Sequence, residues 1–231
     1  MAPKLYMAEM SPPSRGSMLA AQAIGLELEY VNLNFLEKDH LKPDFVKKNP
    51  QHTVPLLEDG DFLLCDSHAI AAYLVTVYGK DDSLLPKDPR FRALVDQRMF
   101  FDTELFVIFK RAVMPLWLQQ TTSYSPKTRE EIDHAMSVVE TFLDHNDWVA
   151  GNRMTIADLS LVATISTMYE MLLIEEAKFP KLTAWLRRME SLPYYENTNG
   201  RGARALGEVV RSGLCREKYP CLKKFGAVHT R

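Results

Sequence analysis

The sequence predicts an α/β domain followed by an all-α domain. Up to residue 79, short apolar runs alternate with segments of helical periodicity, which is typical of an α/β fold. From residue 90 to residue 213, apolar residues recur at three- and four-residue spacings, which indicates a bundle of helices. Residues 80–89 are polar and include Pro86 and Pro89, so we expect an exposed linker between the two domains.

The first domain has the predicted element order β-α-β-α-β-β-α. Strands are predicted at residues 4–7, 29–33, 54–57 and 62–65, and helices at 12–25, 42–48 and 67–78. Asp59-Gly60 separates the last two strands, and this dipeptide favours a tight turn. We therefore expect these two strands to form a β-hairpin.

The second domain begins with one long predicted helix. Its apolar stripe comprises Phe91, Leu94, Val95, Met99, Leu105, Phe106, Phe109 and Val113. Because Pro115 has no backbone N–H, we expect the helix to kink or end near it. A second, amphipathic stripe predicts a helix on the surface of the bundle, and it comprises Ile132, Met136, Val139, Phe142 and Leu143.

Residues 156–174 are apolar on almost every side, which is typical of a central helix. Thr155 and Asp158 resemble a capping box at its start, and Met154 and Leu159 have the spacing of a hydrophobic staple. Two further helices are predicted, one from the pattern Leu182, Trp185, Leu186, Met189 and Leu192 and one around residues 199–212. The tail at residues 214–231 is basic and weakly patterned, so we expect disorder there.

Composition narrows the class of protein. The 231 residues are 46% hydrophobic, and 28 Lys and Arg nearly balance 30 Asp and Glu, so no charge excess indicates nucleic acid or an acidic membrane as partner. The three cysteines form neither a C-x-x-C pair nor a zinc-ligand pattern, so we expect a reducing compartment and no metal. The start of the chain lacks a signal-peptide pattern, and we expect a soluble, cytoplasmic protein.

The first candidate site is Ser11-Pro12-Pro13-Ser14, at the predicted junction of a strand and a helix. In the simplest interpretation Ser11 is an N-cap and Pro12 is the first helical residue, which requires no function. A functional interpretation uses the same geometry, because a hydroxyl at the positive end of a helix can donate a hydrogen bond to a thiolate. No G-x-S-x-G motif surrounds Ser11, so a nucleophilic serine is not indicated. We expect Ser14 to lie on the helix surface.

The second candidate site is residues 49–56, which read Asn-Pro-Gln-His-Thr-Val-Pro-Leu. Pro55 cannot donate to a strand ladder, so Val54 would keep free backbone groups that can pair with an extended peptide. The alternative is an ordinary edge strand with His52 at the surface.

The third candidate site is Asp66-Ser67-His68, at the start of a predicted helix. Ser67 is interpreted most simply as an N-cap. As a binding site, the helix N-terminus would receive a carboxylate while Asp66 accepts from an ammonium, which matches the α-amino-acid end of a ligand. A thiolate site, a peptide-binding edge and an amino-acid clamp together describe glutathione.

Three segments, SPPSRGSML, NPQHTVPLLEDGDFLLCDSHAIAAYL and TIADLS, resemble the cytosolic glutathione transferases in order and separation. The similarity covers about residues 3–213 and is greatest to the insect delta and epsilon classes, with epsilon preferred. The resemblance implies a thioredoxin-like N-terminal domain at residues 1–79, a helical C-terminal domain that forms an electrophile pocket, a homodimer, and glutathione as co-substrate without a metal.

The resemblance also implies roles for individual residues. Ser11 would stabilise the thiolate of glutathione, and Val54, beside a cis-Pro55, would bind its cysteinyl residue. The remaining glutathione contacts would be Asp66 and Ser67 at the γ-glutamyl end, His52 or His40 at the glycyl end, and His68 and Arg111 at the border of the site. The electrophile pocket would be lined by Met10, Pro13, Val107, Lys110, Met114, Leu118 and Leu206. Many relatives carry Glu where this chain has Asp66, which makes the clamp one methylene shorter.

The function implied is transfer of glutathione to hydrophobic electrophiles, with elimination (dehydrochlorinase) or peroxide reduction as side activities. Two alternatives remain open at this point: a non-catalytic carrier of hydrophobic compounds or hormones, and a specialised enzyme of steroid metabolism. A glutaredoxin-like redox enzyme would need a nucleophilic cysteine at position 11 or 14, and both positions are serine.

Overall fold

A computed structural model of the chain, which describes residues 2–117, 125–171 and 174–211, contains a four-stranded sheet with helices and a helical bundle. The strands are β1 Lys4–Met7, β2 Glu29–Asn32, β3 Leu56–Asp59 and β4 Phe62–Cys65. The helices are α1 Pro12–Ala23, α2 Pro43–Lys48, α3 Ser67–Val77, α4 Pro89–Trp117, α5 Pro126–Phe142, α6 Ile156–Met171, α7 Pro180–Glu190 and α8 Arg201–Arg211. Short 3-10 turns lie at Asp39–Leu41 and Glu176–Lys178, and a π-helical turn at Glu196–Gly200 leads into α8.

The sheet confirms the predicted α/β, thioredoxin-like order β-α-β-α-β-β-α. Its strand order is β2-β1-β3-β4, in which β1 pairs parallel to β2 and antiparallel to β3. The hairpin β3–β4 turns at Gly60, whose φ of +63° lies in the left-handed region that glycine adopts without a steric penalty. Leu5 of β1 and Leu57 of β3 are fully buried, so the middle of the sheet forms the core of this domain.

Several predicted element boundaries differ from the structure by one or two residues, and two of these differences have a clear local cause. Strand β3 begins at Leu56, two residues later than predicted, because Pro55 has no N–H for the ladder and the Val54–Pro55 bond is cis. Helix α1 ends at Ala23, just before Gly25 adopts a φ of +70°. Helix α4 continues through Pro115 to Trp117, where the described segment ends.

Helix α6 is the centre of the helical domain, as its all-round apolar sequence predicted. Fourteen of its 16 residues are buried, and it packs against α1, α4 and α8. The capping box is confirmed, because Asp158 Oδ2 accepts from the backbone N–H of Thr155 at 2.8 Å. Asp158 Oδ1 also accepts from the N–H of Val149 at 2.9 Å and from Nε1 of Trp185 at 3.0 Å.

Two expectations about exposure were wrong. Leu94 was assigned to the buried stripe of α4 but is 45% exposed. The linker is not uniformly exposed, because Leu84 and Leu85 are buried and the carbonyl of Leu84 accepts from the N–H of Ile156 at 2.9 Å. These apolar side chains attach the linker to the start of α6. The predicted disordered tail at residues 214–231 lies outside the described residues.

No helix within the described segments is long and apolar enough to span a membrane.

Candidate functional site

Ser11 is the N-cap of α1, as the sequence predicted. Its Oγ accepts from the N–H of Ser14 at 3.5 Å, and its carbonyl accepts from the N–H of Arg15 at 3.1 Å. A 3.5 Å contact is at the long limit of a hydrogen bond, and the hydroxyl proton is not used in it. Ser11 can therefore cap the helix and still donate a hydrogen bond to a ligand.

Ser14 does not lie on the helix surface, contrary to expectation. It is fully buried, and its Oγ accepts from the N–H of Ala8 at 3.3 Å. The N–H of Ser11 donates to the carbonyl of Ala8 at 2.9 Å. Together these two bonds fasten the loop between β1 and α1.

The segment before β3 has the predicted free edge. Within the residues the structure describes, the N–H and C=O of Val54 form no backbone hydrogen bond. The loop is held instead by Asn49, which is buried and whose Nδ2 donates to the carbonyl of Thr53 at 2.9 Å. The sequence analysis included Asn49 in the candidate segment but gave it no role, although an Asn before Pro50 at the end of a helix is a signal for such a turn.

Helix α3 begins with an acidic cap. The predicted N-cap was Ser67, but the N-cap is Asp66, whose Oδ1 accepts from the N–H groups of His68 at 2.9 Å and Ala69 at 3.1 Å. Ser67 is the first helical residue, and its carbonyl accepts from Oγ of Ser17 at 3.2 Å. The carboxylate of Asp66 can do what the serine hydroxyl was expected to do, because both are oxygen acceptors of similar reach.

His68 lies between two carboxylates. Its Nε2 is 2.9 Å from Oδ2 of Asp102 on α4, and its Nδ1 is 3.6 Å from Oδ1 of Asp66. Burial lowers the pKa of His68, but the hydrogen bond to Asp102 and the charge of the nearby Asp66 outweigh burial and raise the pKa to about 9. The imidazolium of His68 and the backbone N–H groups of Ala69 and His68 in turn lower the pKa of Asp66 to about 2. Both partners are therefore charged at neutral pH.

Asp102 is a second residue that sequence reasoning missed. It is 5% exposed, and its Oδ1 has no hydrogen-bond partner within the described part of the chain. A charged residue at a buried position of a helix was the available signal. Its partner His68 is 34 residues earlier, so only the fold brings them together.

A cavity of about 210 Å³ joins these segments. It is lined by Pro13, Gln51, Thr53, Val54, Pro55, Asp66, Ser67, His68, Asp102, Thr103, Phe106 and Thr164. Each of the three candidate segments therefore contributes at least one residue to this lining, together with α4 and α6, but Ser11 itself is not among the lining residues. Ser11 is the cap of the same helix turn that contributes Pro13.

Other predicted glutathione contacts lie outside the lining of this cavity. His40 lies in the 3-10 turn before α2 and His52 in the loop after it, with their rings 6.3 Å apart, and the ring of His40 stacks on that of Phe35 at 4.2 Å. Arg111 forms an ion pair with Glu131 of α5, with Nη2 and Oε2 3.1 Å apart. The described structure thus pairs Arg111 with the second helix of the bundle.

The predicted electrophile residues lie mainly on α4. Val107 and Met114 are seven residues apart on one face and are 50% and 42% exposed. Lys110 is exposed, with its Nζ 6.0 Å from the centre of the Phe106 ring. Met10 and Leu206 pack against the core of the helical domain, whereas Leu118 lies outside the described residues.

Comparisons of the chain with protein-family models and with known proteins agree on one family. The glutathione S-transferase N-terminal domain family matches residues 1–76, and the glutathione S-transferase C-terminal domain family matches residues 70–193. Glutathione S-transferase 1 of Manduca sexta is 44% identical over 213 residues, which cover 91% of this chain and 98% of that protein.

Solved structures of insect proteins have the same two-domain fold. An epsilon-class glutathione S-transferase from the housefly Musca domestica superposes with a TM-score of 0.88 at 44% identity, over 91% of this chain and 97% of that chain. A glutathione transferase homolog from Drosophila mojavensis with bound glutathione superposes with a TM-score of 0.86 at 43% identity, over 91% and 97%. With matches to both domain families and to full-length relatives, the chain belongs to the glutathione S-transferase family.

Proposed function

We propose that this protein is a serine-type glutathione transferase, which ionises the thiol of glutathione beside Ser11 and transfers it to hydrophobic electrophiles. The observation that carries the proposal is the cavity of about 210 Å³ in which the Val54–Pro55 edge, the start of α3 and the start of α1 converge. These are the three parts that a γ-glutamyl-cysteinyl ligand needs: a backbone partner, an amino-acid clamp and a thiolate donor.

The γ-glutamyl end would be held at the start of α3. Oδ1 of Asp66 is occupied by capping bonds, which leaves Oδ2 for the ligand's ammonium group. The carboxylate of the ligand would bind the N–H and Oγ of Ser67, where the helix dipole favours a negative charge. The free backbone groups of Val54 would pair with the cysteinyl residue, and His52 or His40 would bind the glycyl carboxylate.

The catalytic step depends on forming a thiolate. A free thiol has a pKa of about 8.5, and each unit of depression corresponds to about 1.4 kcal/mol in favour of the anion. The hydroxyl of Ser11 and the N-terminus of α1 favour the anion, so the thiol proton leaves to solvent. The sulfur then forms a bond to an electrophilic carbon, and the leaving group departs with its electron pair.

The electrophile would bind along the exposed face of α4. Val107 and Met114 offer apolar surface on the helix that also contributes Thr103 and Phe106 to the cavity lining. Such a surface fits aromatic or aliphatic compounds of low polarity, including chlorinated compounds and organic peroxides. The proposal includes a cytoplasmic, epsilon-class homodimer, for which exposed apolar residues supply the contact: Phe62, Leu63, Val77, Leu94 and Phe100.

Replacement of Ser11 by Ala tests the proposal. We expect the kcat for a chromogenic aryl halide to fall about 10²-fold, because one preorganised donor to the developing anion is removed. The KM for glutathione should stay within about twofold, since the clamp at α3 is intact. Thiolate absorbance of bound glutathione should titrate at a higher pH.

Ser125→Ala is the matched control, because Ser125 caps α5 with an equivalent hydrogen bond to the N–H of Thr128 at 3.1 Å. Turnover and a thiolate titration that are unchanged by Ser11→Ala would refute the proposed role. Wild-type protein that binds glutathione without ionising it would instead support a carrier function.

A further inference from the structure

Arg15 is a fully buried residue on the second turn of α1. Its Nε donates to Oδ1 of Asn199 at 2.8 Å, and its Nη1 donates to the carbonyl of Glu9 at 3.2 Å. Its Nη2 donates to the carbonyl of Ala163 at 3.2 Å and to Oγ1 of Thr167. One guanidinium thus links the loop before α1, the middle of α6 and the π-helical turn before α8.

All four acceptors of Arg15 are neutral. Within the described residues no carboxylate lies within ion-pair distance of its guanidinium. Burial lowers the pKa of Arg15 to about 9, although the charges of Tyr195 and Glu9 act in the opposite direction. The group therefore remains charged at neutral pH but lies in a fully buried environment. Burying a cation without an anionic partner costs free energy, which makes simple stabilisation a poor reason for an arginine here.

The bond to Glu9 is the one that bears on the site. Glu9 lies two residues before Ser11, and two neighbours meet its backbone carbonyl. Arg15 donates to this carbonyl. Gly202 packs so closely that a Cβ at its position would lie 2.3 Å from the same carbonyl and 2.8 Å from Cδ of Arg15.

Asn199, the partner of Arg15 in the π-helical turn before α8, is itself held in place by a hydrogen bond. Asn199 is fully buried within the π-helical turn Glu196–Gly200, and its Nδ2 donates to Oγ of Ser166 at 2.9 Å. The bond to Ser166 on α6 therefore orients the Asn199 side-chain amide so that its Oδ1 accepts from Arg15. The loop of Ser11 is connected in this way to the rigid centre of the helical domain.

We propose that Arg15 is a positioning residue that holds the Ser11 hydroxyl in register with the glutathione thiol by anchoring the loop at Glu9 to α6 and Asn199. This inference rests on the proposed function, because it assigns Arg15 a role in the same thiolate site. Arg15 acts through the loop and through Ser11, without contact to the reacting sulfur.

Arg15→Lys tests the inference, because lysine keeps the charge but cannot form the planar fork of bonds. We expect kcat for the aryl halide to fall about tenfold and the pKa of bound glutathione to rise by about one unit, since one unit equals a tenfold change in thiolate ratio. The KM for glutathione should change less than about twofold. Asn199→Ala and Thr167→Val each remove one acceptor and should give smaller shifts of the same sign.

Arg98→Lys is the matched control, because Arg98 is a half-buried arginine that donates to the carbonyl of Val149 at 2.8 Å and lies over the ring of Phe142, away from the cavity. It should lower the melting temperature without moving the thiol titration. If Arg15→Lys does not fold, the Asn199 and Thr167 variants decide. Lower melting temperatures in these variants without a shift of the thiol titration would overturn the inference.

A double-mutant cycle separates this inference from the proposed function. If Arg15 acts through Ser11, Arg15→Lys should cause no further loss of kcat in a Ser11→Ala background. An equal loss in both backgrounds would overturn the positioning role while leaving the role of Ser11 intact. If Ser11→Ala alone changes neither kcat nor the thiol titration, the proposed function itself fails.

Discussion

His68, which lies between Asp66 and Asp102, should make the stability of the folded protein depend on pH. Its pKa is raised from the ordinary 6.5 to about 9, so the protonated imidazole stabilises the folded state. That contribution is complete below pH 6.5 and is lost as the pH rises through 9. We expect His68→Gln to remove up to about 3 kcal/mol of stability at the low end of this window and much less above it.

Urea unfolding of wild type and His68→Gln below pH 6.5 and above pH 9 checks this prediction. The control is Arg92→Gln, which breaks an exposed pair between Arg92 Nε and Asp96 at 2.8 Å and should change stability by less than about 1 kcal/mol. A difference between wild type and His68→Gln that does not vary with pH would contradict the prediction.

The carboxylate of Asp66 is expected to serve both the helix and the ligand. Asp66→Asn keeps an N-cap acceptor but removes the charge, so α3 should remain stable. The KM for glutathione should rise about tenfold, since a hydrogen bond to a charged group contributes about 1.5–3 kcal/mol. Asp66→Glu restores the charge and should recover most of the affinity in steady-state kinetics. An unchanged KM in Asp66→Asn would place the ammonium group elsewhere.

For single residues, the local sequence pattern predicts helix caps. Hydrogen-bond partners that are far apart in the sequence are defined only by the fold. Ser11 was predicted as a cap because it stands directly before a helix and its capping bond is local, whereas at α3 the neighbouring Ser67 was predicted in place of Asp66. Asp102 and Arg15 were not singled out, because their environments depend on segments that are brought together only by the fold.

Among the elements, α6 depends most on its first turn. The carboxylate of Asp158 accepts from Thr155, Val149 and Trp185, and burial raises its pKa although these bonds oppose the shift. Asp158→Ala should cost about 3–5 kcal/mol, because four buried donors on three residues lose their acceptor. Ser125→Ala, at the exposed cap of α5, should cost about 1 kcal/mol.

Chemical unfolding of the two cap variants measures this difference. The titration of bound glutathione should be unaffected in Asp158→Ala below its unfolding transition, because Asp158 is a structural residue. Equal destabilisation by the two substitutions would contradict the importance of the buried network.

The exposed face of α4 is the element expected to select the electrophile. A Val107→Ser, Met114→Ser double variant should raise the KM for an apolar aryl halide about fivefold, which corresponds to losing about 40 Å² of apolar burial at 25 cal/mol per Å². The thiol titration should not move. A parallel change in the KM for glutathione would show that this face is part of the glutathione site instead.

For the whole molecule, the sequence predicted the order of helices and strands well, but it did not predict which side chains pack against each other. Alternating and helical periodicities predicted both domains because periodicity reports which face of an element is buried. It could not reveal that Leu84 and Leu85 attach the linker to α6, or that Leu94 faces outward. Sequence pattern alone predicts that an apolar residue is buried, and only the packing of the elements shows whether it is exposed instead.

The exposure of Leu94, which was predicted to be buried, supports the proposed homodimer. Strand β4 lies at one edge of the sheet and carries exposed Phe62 and Leu63, while α4 exposes Leu94 and Phe100, the latter to 73%. Large exposed apolar side chains are typical of an interface. Phe100→Glu would bury a charge there, so we expect the dimer to dissociate at least tenfold more readily.

Analytical ultracentrifugation over a range of protein concentrations measures this effect. Tyr30→Glu is the matched control, because Tyr30 is an exposed aromatic residue on β2, at the opposite edge of the sheet, and the substitution should leave the dimer unchanged. A wild-type protein that sediments as a monomer at micromolar concentration would refute the homodimer. A Phe100→Glu protein that sediments like wild type would remove this face of α4 from the interface, because an unpaired buried carboxylate cannot be accommodated there without a loss of affinity.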